Sequence, residues 1–283
     1  MINSTTQETG RRLKPILDYL MDKRGFDFSG YHQPMIERRI RQRLDATNCS
    51  DFSGYLSCLQ ENPDELNHLL DVITINVSRF FRDTLTFELI ADRILPAIIQ
   101  EKGKVQDHSL RVWSAGCAKG EEPYSLAILI HELLMKEDVV MNLHIFATDI
   151  DSWAISDAEK AVYSLASVEN IKHRLLMKYF KPEGNSFRLI PEIMDLVNFS
   201  QYDMLDKKHG VPQESVFGNF DLVLCRNLLI YFNTEYQESI FARLYHSLAK
   251  NSYLILGEAE APTIKYRHNF SRVFDFSPIY RKV

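Results

Sequence analysis

The sequence predicts an α/β protein: a parallel sheet wound by helices, entered through an all-helical front domain and carrying a small antiparallel β insertion. Three observations predict it. Residues 110–134 read as strand, glycine loop and helix; residues 143–148 read as a second strand, ending in Asp149-Ile150-Asp151; and residues 1–75 carry helical periodicity throughout.

The first of these stretches holds the most chemistry. Val112-Trp113 gives way to the small-residue turn Ser114-Ala115-Gly116-Cys117-Ala118-Lys119-Gly120, and Leu126, Leu129, Ile130, Leu133 and Leu134 then mark one helical face. Glu121 and Glu122 fall in the first helical turn, where carboxylates complement the helix dipole, and Pro123 loses nothing there because the first amides have no helical partner. A glycine loop in this setting lets backbone approach a ligand. The phosphate loop fails, because Gly120 is followed by Glu121 rather than lysine, and Gly116 to Gly120 spells GxxxG rather than the dinucleotide fingerprint GxGxxG. Paired glutamates at the helix mouth would also repel a pyrophosphate, so a ligand bearing an amine or sulfonium fits better. Asp149 stands where Rossmann-like folds grip a ribose diol. Loop and acid together point to an adenosine-bearing ligand without phosphates, of which S-adenosylmethionine is the commonest.

Composition sets limits. The 283 residues are 45% hydrophobic and 25% charged, enough for one large and one small domain, and the net charge of −5 argues against bulk affinity for nucleic acid or an anionic membrane. Cys49, Cys58, Cys117 and Cys225 have neither paired nor metal-ligand spacing and read as free thiols, so no metal is expected. No apolar run approaches membrane-spanning length and no basic-then-apolar leader opens the chain, which predicts a soluble, cytoplasmic protein without membrane insertion.

Three regions follow in order: a helical domain over 1–75, an interdomain segment and helix over 76–100, and the sheet domain over 101–283 with a β insertion at about 166–200. In the first, Pro34 opens a helix with Ile36, Ile40 and Leu44 on one face and Arg38, Arg39, Arg41 and Arg43 around the rest, against a single Glu37. That pattern is either a solvated face or a docking surface for an acidic partner, since arginine forks suit carboxylates. The pentapeptide DFSGY occurs at 27–31 and 51–55, and both copies read as helix entries. In the second region Asn76, Ser78, Arg79 and Arg82 interleave with apolar residues before an amphipathic helix through Phe87, Ile90, Ile94 and Ile98. In the third, the Gly184-Asn185 turn and two potential strands, 187–190 and 196–199, predict an antiparallel hairpin, and the buried-strand pattern at 220–225 ends at Arg226, Asn227 and Tyr231. Ligands of open parallel sheets lie beyond the carboxyl ends of strands, which makes those three residues positional candidates.

The motifs NVSRFFRD (76–83), GCAKGEEPYSLA (116–127), ATDID (147–151) and FDLVLCRNLLIYF (220–232), in this order, resemble the CheR family of bacterial chemotaxis receptor methyltransferases over nearly the whole chain. The resemblance implies a class I S-adenosylmethionine-dependent methyltransferase with a Rossmann-like, seven-stranded sheet. It implies methylation of glutamate side chains on the cytoplasmic helical bundle of a chemoreceptor. Residue by residue, it implies that Asn76, Ser78 and Arg82 contact the cofactor, with Ser78 keeping the hydroxyl of the family's usual threonine. Glu122 takes the cofactor's amino group and Asp149 its ribose; Asp203, where relatives often have Asn, and Met204 lie by the adenine; Arg226 and Asn227 complete the pocket. Arg82 and Tyr231 stand nearest the transferring methyl, and Arg38, Arg39, Arg41 and Arg43 dock the receptor. A glutamate, with a reference pKa of about 4.3, is already a nucleophile at neutral pH and needs no general base. The chain duly lacks an evident catalytic triad: His131-Glu132 begins a metalloprotease-like motif that Met135 leaves incomplete. The short turn at 181–186 predicts recognition independent of a receptor tail peptide. Two other readings stay open, a methyltransferase for another protein or a small carboxylate, and a non-catalytic cofactor-binding signalling module.

Overall fold

Prolines and caps set the helices of the front domain. They are α1 (Ile2–Arg24), α2 (Gln33–Ala46), α3 (Phe52–Glu61) and α4 (Pro63–Thr74) in a computed structural model that describes residues 2–74, 78–206, 210–212, 215 and 218–283. Pro34 lies in the first turn of α2, the Asp51 carboxylate caps α3 through the Gly54 amide, and Asp64 and Glu65 occupy the first turn of α4. Leu13, Ile16, Leu20, Ile36, Ile40, Tyr55, Leu59, Leu69 and Ile73 are buried from solvent, each contributing about 1.5–3 kcal/mol. This unit comprises Met1–Asn76 together with Tyr231–Tyr236; the other comprises Val77–Ile230 and Gln237–Val283.

The two DFSGY copies differ, contrary to the sequence expectation. Asp51 opens α3, whereas Asp27 accepts from the Ser29 amide in a turn and Tyr31 forms an isolated bridge with Phe232. Aromatic packing decides it: Phe28 and Tyr31 have ring centroids 5.1 Å apart and Tyr31 and Phe232 4.5 Å, contacts that a helix starting at Phe28 would break.

The second unit begins with α5 (Thr84–Leu89), a π turn (Ile90–Ile94) and α6 (Leu95–Lys104). The expected single helix is therefore interrupted. Pro96 has no amide for the carbonyl four residues back, and the ladder widens just before it, Leu95 N–H reaching Ile90 O. Then come β1 (Ser109–Ala115), α7 (Glu121–Glu137), β2 (Asn142–Asp149), α8 (Ser152–Lys160), β3 (Val162–Ser164), α9 (Leu165–Val168), α10 (His173–Tyr179), β4 (Phe180–Glu183), β5 (Ser186–Leu189), α11 (Pro191–Met194), β6 (Val197–Gln201), β7 (Phe220–Cys225), α12 (Thr234–Ser247), β8 (Leu248–Leu256), β9 (Phe270–Arg272) and β10 (Ile279–Lys282).

The seven-stranded sheet runs β6-β2-β1-β7-β8-β10-β9, parallel except where β10 pairs antiparallel with β8 and β9. Its middle strands are apolar on both faces, with Val112, Trp113, Leu222, Val223, Leu224, Leu254 and Ile255 buried, the pattern of a sheet covered by helices on each side. The small antiparallel sheet is β3-β5-β4. Here the expected hairpin is corrected: β5 pairs with β4 across the Gly184-Asn185 turn, and 197–201 joins the main sheet beside β2. Pro191 opens the helical turn α11 between the two stretches, carrying the chain away from β5. Among the described residues no helix is long and apolar enough to cross a membrane.

Candidate active site

The glycine loop joins β1 to α7 through three left-handed residues, Gly116 (φ 76°), Ala118 (φ 48°) and Gly120 (φ 90°). The Gly116 and Cys117 amides both donate to Thr148 O, at 2.8 and 2.9 Å, tying the loop to the end of β2. Gly120 is required twice over: besides its φ, a Cβ would lie 2.9 Å from Ala158 Cβ and 3.1 Å from Phe199. Asp149 ends β2 half-buried, its Oδ2 accepting from Ala118 N–H at 2.8 Å and its Oδ1 from Asp151 N–H at 3.0 Å. Burial pushes its carboxyl up to about 6 although those amides draw it down, so it is mostly ionised at neutral pH. Asp151 is spent as the cap of α8.

Arg226, at the carboxyl end of β7, links the loop helix to the segment ahead of α5. Its Nη1 donates to Glu122 Oε2 at 3.0 Å; its Nη2 donates to Arg82 O at 2.9 Å and to Asp83 Oδ2 at 2.5 Å. The side chain is only 2% exposed, and its guanidinium lies 5.2 Å from the Phe87 ring centroid. Glu122 Oε1 accepts from Ser114 Oγ at 2.7 Å. The 78–83 segment is anchored as well: Phe80 is fully buried edge-on to Tyr163 and Phe180, and Phe81 N–H donates to Ser125 Oγ at 3.0 Å. Phe81 (φ 53°) and Asp83 (φ 58°) flank Arg82 in the left-handed region, strain that the anchors on either side sustain.

Asn227 is left-handed too (φ 56°), held by its amide donating to Glu260 Oε2 at 2.9 Å. Glu260 is buried and also accepts from Gly257 N–H at 2.7 Å and Ile230 N–H at 3.3 Å. Burial raises its carboxyl while the amides oppose that rise. Sequence reasoning missed Glu260, Asp83 and Ser114. Asp83 closes the NVSRFFRD motif and Ser114 opens the glycine turn, and Glu260 follows the last parallel strand in Gly257-Glu258-Ala259-Glu260, an acid-rich turn after an apolar run.

The other expected residues fall as follows. Ser78 is half-buried beside the anchored segment, and Asn76 lies outside the described residues. Asp203 accepts from Leu205 N–H at 2.7 Å in its own turn, Met204 is buried, and Tyr202 N–H donates to Asp149 O at 2.9 Å, which brings 202–204 to the end of β2. Tyr231 belongs to the first unit, its carbonyl accepting from His32 N–H at 2.9 Å and its ring 5.9 Å from the Arg39 guanidinium. The four arginines of α2 divide. Arg43 forks onto Glu65 and Arg39 donates to the carbonyls of Val72 and Ile73 at the end of α4, so both are committed within the helical unit. Arg41 is exposed over the Phe52 ring and paired with Glu37 at 2.7 Å, and Arg38 is exposed.

The two buried thiols at the carboxyl edge of the sheet are not activated nucleophiles. Cys117 and Cys225 are buried, which raises both thiols well above their ordinary value, and His131 contacts Tyr179 Oη at 2.9 Å and Glu192 at 3.1 Å. The groups that the loop region offers a ligand are two acceptors, the carboxylates of Glu122 and Asp149, with Arg226 already committed to acids and Lys119 paired with Asp157 at 3.3 Å. That set suits hydroxyls and a positive charge and disfavours phosphate.

Residues 76–275 match the model described as "CheR methyltransferase, SAM binding domain", and residues 11–74 match "CheR methyltransferase, all-alpha domain". The chain is 28% identical to the chemotaxis protein methyltransferase of Borreliella burgdorferi, over 96% of this chain and 93% of that one. It is 30% identical to chemotaxis protein methyltransferase 2 of Vibrio cholerae (86% and 83% covered) and 30% identical to the chemotaxis protein methyltransferase of Salmonella typhimurium (87% and 82%). A pair of carboxylate acceptors fits S-adenosylmethionine, a cation without phosphates, which this family binds.

Proposed function

The chain belongs to the CheR methyltransferase family, and from that premise we propose that it methylates glutamate side chains on the cytoplasmic helical bundle of chemoreceptors, giving methyl esters. The observation that carries the choice of acceptor is that the loop, residues 116–122, has no histidine to serve as base and that its thiol, Cys117, is buried with its ionisation suppressed, as is Cys225. An acceptor that arrives already ionised requires neither.

S-adenosylmethionine, when bound, supplies an electrophilic methyl on a sulfonium. Glu122 and Asp149 are the groups to hold its amino and ribose ends, Ser78, Asp203, Met204 and Asn227 to complete the pocket, and Arg226 to keep Glu122 and the Arg82 backbone in place. Arg82 and Tyr231 are the proposed donors to the acceptor carboxylate, fixing the oxygen that attacks. Because opposite charges cancel as the methyl moves, alignment and exclusion of water supply most of the rate. Incubation with labelled donor and receptor cytoplasmic fragments is expected to leave label that mild alkali removes; alkali-stable label would mean a methylamine or carbon-bound methyl and would sink the ester assignment.

Docking is assigned to the exposed part of α2, tail-independent recognition to the short turn at 181–186, and a cytoplasmic location goes with the receptor bundle proposed as substrate. Arg38→Glu with Arg41→Glu is expected to reduce receptor methylation about tenfold or more with donor affinity unchanged in calorimetry. The fold should bear it, since the new i,i+4 repulsion at Glu37 costs only about 0.2–0.5 kcal/mol. Unchanged methylation would refute the docking role, and equal loss of donor binding and methylation would indicate a folding defect instead.

A further inference from the structure

The turn that leaves β7, residues 226–230, is fastened by a carboxylate from the segment after β8. Glu260 Oε2 accepts from Asn227 N–H at 2.9 Å and from Gly257 N–H at 2.7 Å, and its Oε1 accepts from Ile230 N–H at 3.3 Å. The residue is 7% exposed. Both oxygens are engaged by backbone amides, so the carboxylate serves the turn rather than a ligand. Hydrogen bonds to an ionised acceptor are stronger than those to a neutral one.

Gly257 is part of the same arrangement. A Cβ there would lie 2.8 Å from Asn227 N, 2.8 Å from Glu260 Oε2 and 2.9 Å from Asn227 Nδ2. The missing side chain lets the carboxylate reach the Asn227 amide and lets the Asn227 carboxamide lie against the backbone of β8's end. Asn227 itself is left-handed (φ 56°), a conformation that its short polar side chain tolerates and that the bond to Glu260 sustains.

On its other side the turn lies along the glycine loop. Arg226 donates to Glu122, and Leu228 faces Gly116, where a Cβ would meet Leu228 Cδ2 at 3.1 Å. Asn227 stands between these two contacts. The Leu229 carbonyl is pinned separately, by Gln237 Nε2 at 3.0 Å. Of the two anchors, Glu260 is the one that reaches Asn227.

We propose that Glu260 is a positioning residue for methyl transfer: with Gly257 it fixes the backbone and carboxamide of Asn227 beside the glycine loop before the donor arrives. This rests on the reading of Asn227 as part of the S-adenosylmethionine pocket. The donor then meets a wall already in place, and less ordering has to accompany binding.

The test is calorimetry of S-adenosylmethionine with wild type, Glu260→Gln, Gly257→Ala and the double variant. Glutamine keeps the size of the side chain but has one acceptor oxygen for amides that arrive at two, so its NH2 must face an amide N–H. Donor affinity should fall about tenfold, the order expected when a hydrogen bond to a charged group is lost, with one site per chain retained. Gly257→Ala leaves the charge in place and pushes it off Asn227, and should weaken the donor to a similar degree. The double variant should bind no more weakly than the poorer single one, because both changes act on one contact. In methylation assays the KM for the donor should rise while the KM for a receptor cytoplasmic fragment stays at its wild-type value.

Wild-type donor affinity in either variant, with a lowered melting temperature alone, would make the clamp purely structural and overturns the proposal. Losses that add in the double variant, or a proportionate rise of both KM values, overturn it too. Absence of binding heat with wild type overturns it together with the assignment of the donor site, so the two failures are distinguishable. Should neither variant fold, amide hydrogen exchange of the ligand-free wild type decides. The Asn227 and Gly257 amides should exchange slowly, and rapid exchange that only the donor suppresses overturns the proposal.

Discussion

Arg226→Leu is expected to bind S-adenosylmethionine at least about a hundredfold more weakly than wild type and to unfold at a clearly lower temperature. The reason is the company the guanidinium keeps. Glu122 and Asp83 approach it at 3.0 and 2.5 Å, and the side chain is 2% exposed, so its removal leaves two acids facing each other with little water to screen them. Breaking a buried ion pair by deleting one partner costs about 3–5 kcal/mol, and about 1.4 kcal/mol is a factor of ten in affinity. Relief comes only by swinging Glu122 or the 82–83 backbone away, which displaces groups assigned to the donor. Arg226→Lys should recover little, because one ammonium cannot reach Glu122, Asp83 and Arg82 O together as the planar fork does. Calorimetry for the donor and a thermal melt check both halves. Wild-type affinity in Arg226→Leu would show that the ion chain is not what organises the site.

The parts of this site that were legible in the sequence are those whose geometry is local. A strand that stops at small residues and restarts as a helix announces the turn at Gly116 to Gly120, and Asp149 and Arg226 declare themselves as the first charged residues after apolar runs. What stayed hidden depends on partners far away in the chain. Nothing near Arg226 says that Asp83, 143 residues earlier, will share its charge, and nothing near Asn227 announces Glu260. The arginine-rich α2 shows the same limit: four similar residues in one helix divide between structural and exposed roles only because Glu65 and the carbonyls ending α4 lie within reach of two of them. Identical pentapeptides fold as a cap and as a turn because the aromatic neighbours differ. The strand at 197–201 has the alternation of a hairpin strand, but its partner is β2, chosen by where Pro191 turns the chain.

The first unit has a buried ion pair of its own, and Arg43→Ala is expected to destabilise it by about 3 kcal/mol, the low end for such a pair because the Arg43 side chain is 22% exposed. Arg43 holds Glu65 through two parallel bonds, Nε to Oε1 at 3.0 Å and Nη2 to Oε2 at 2.6 Å, while Tyr55 Oη donates to Oε1 at 2.6 Å. Burial pushes the Glu65 carboxyl up, but the arginine fork and the tyrosine together outweigh it and hold it below the ordinary value. A carboxyl lowered on folding contributes stability at neutral pH that is lost as pH falls through its folded value. Without Arg43 burial wins, Glu65 protonates more readily, and acid relieves the variant where it weakens wild type. The stability gap between the two should therefore be widest near pH 7 and narrow below about 4.3, the unfolded carboxylate's pKa. Chemical denaturation across that range reads it directly, and a gap that does not change with pH would mean that Arg43 acts through packing alone. Arg43→Met combined with Glu65→Leu should return most of the lost stability, since apolar side chains of similar volume replace a buried pair at little or no cost.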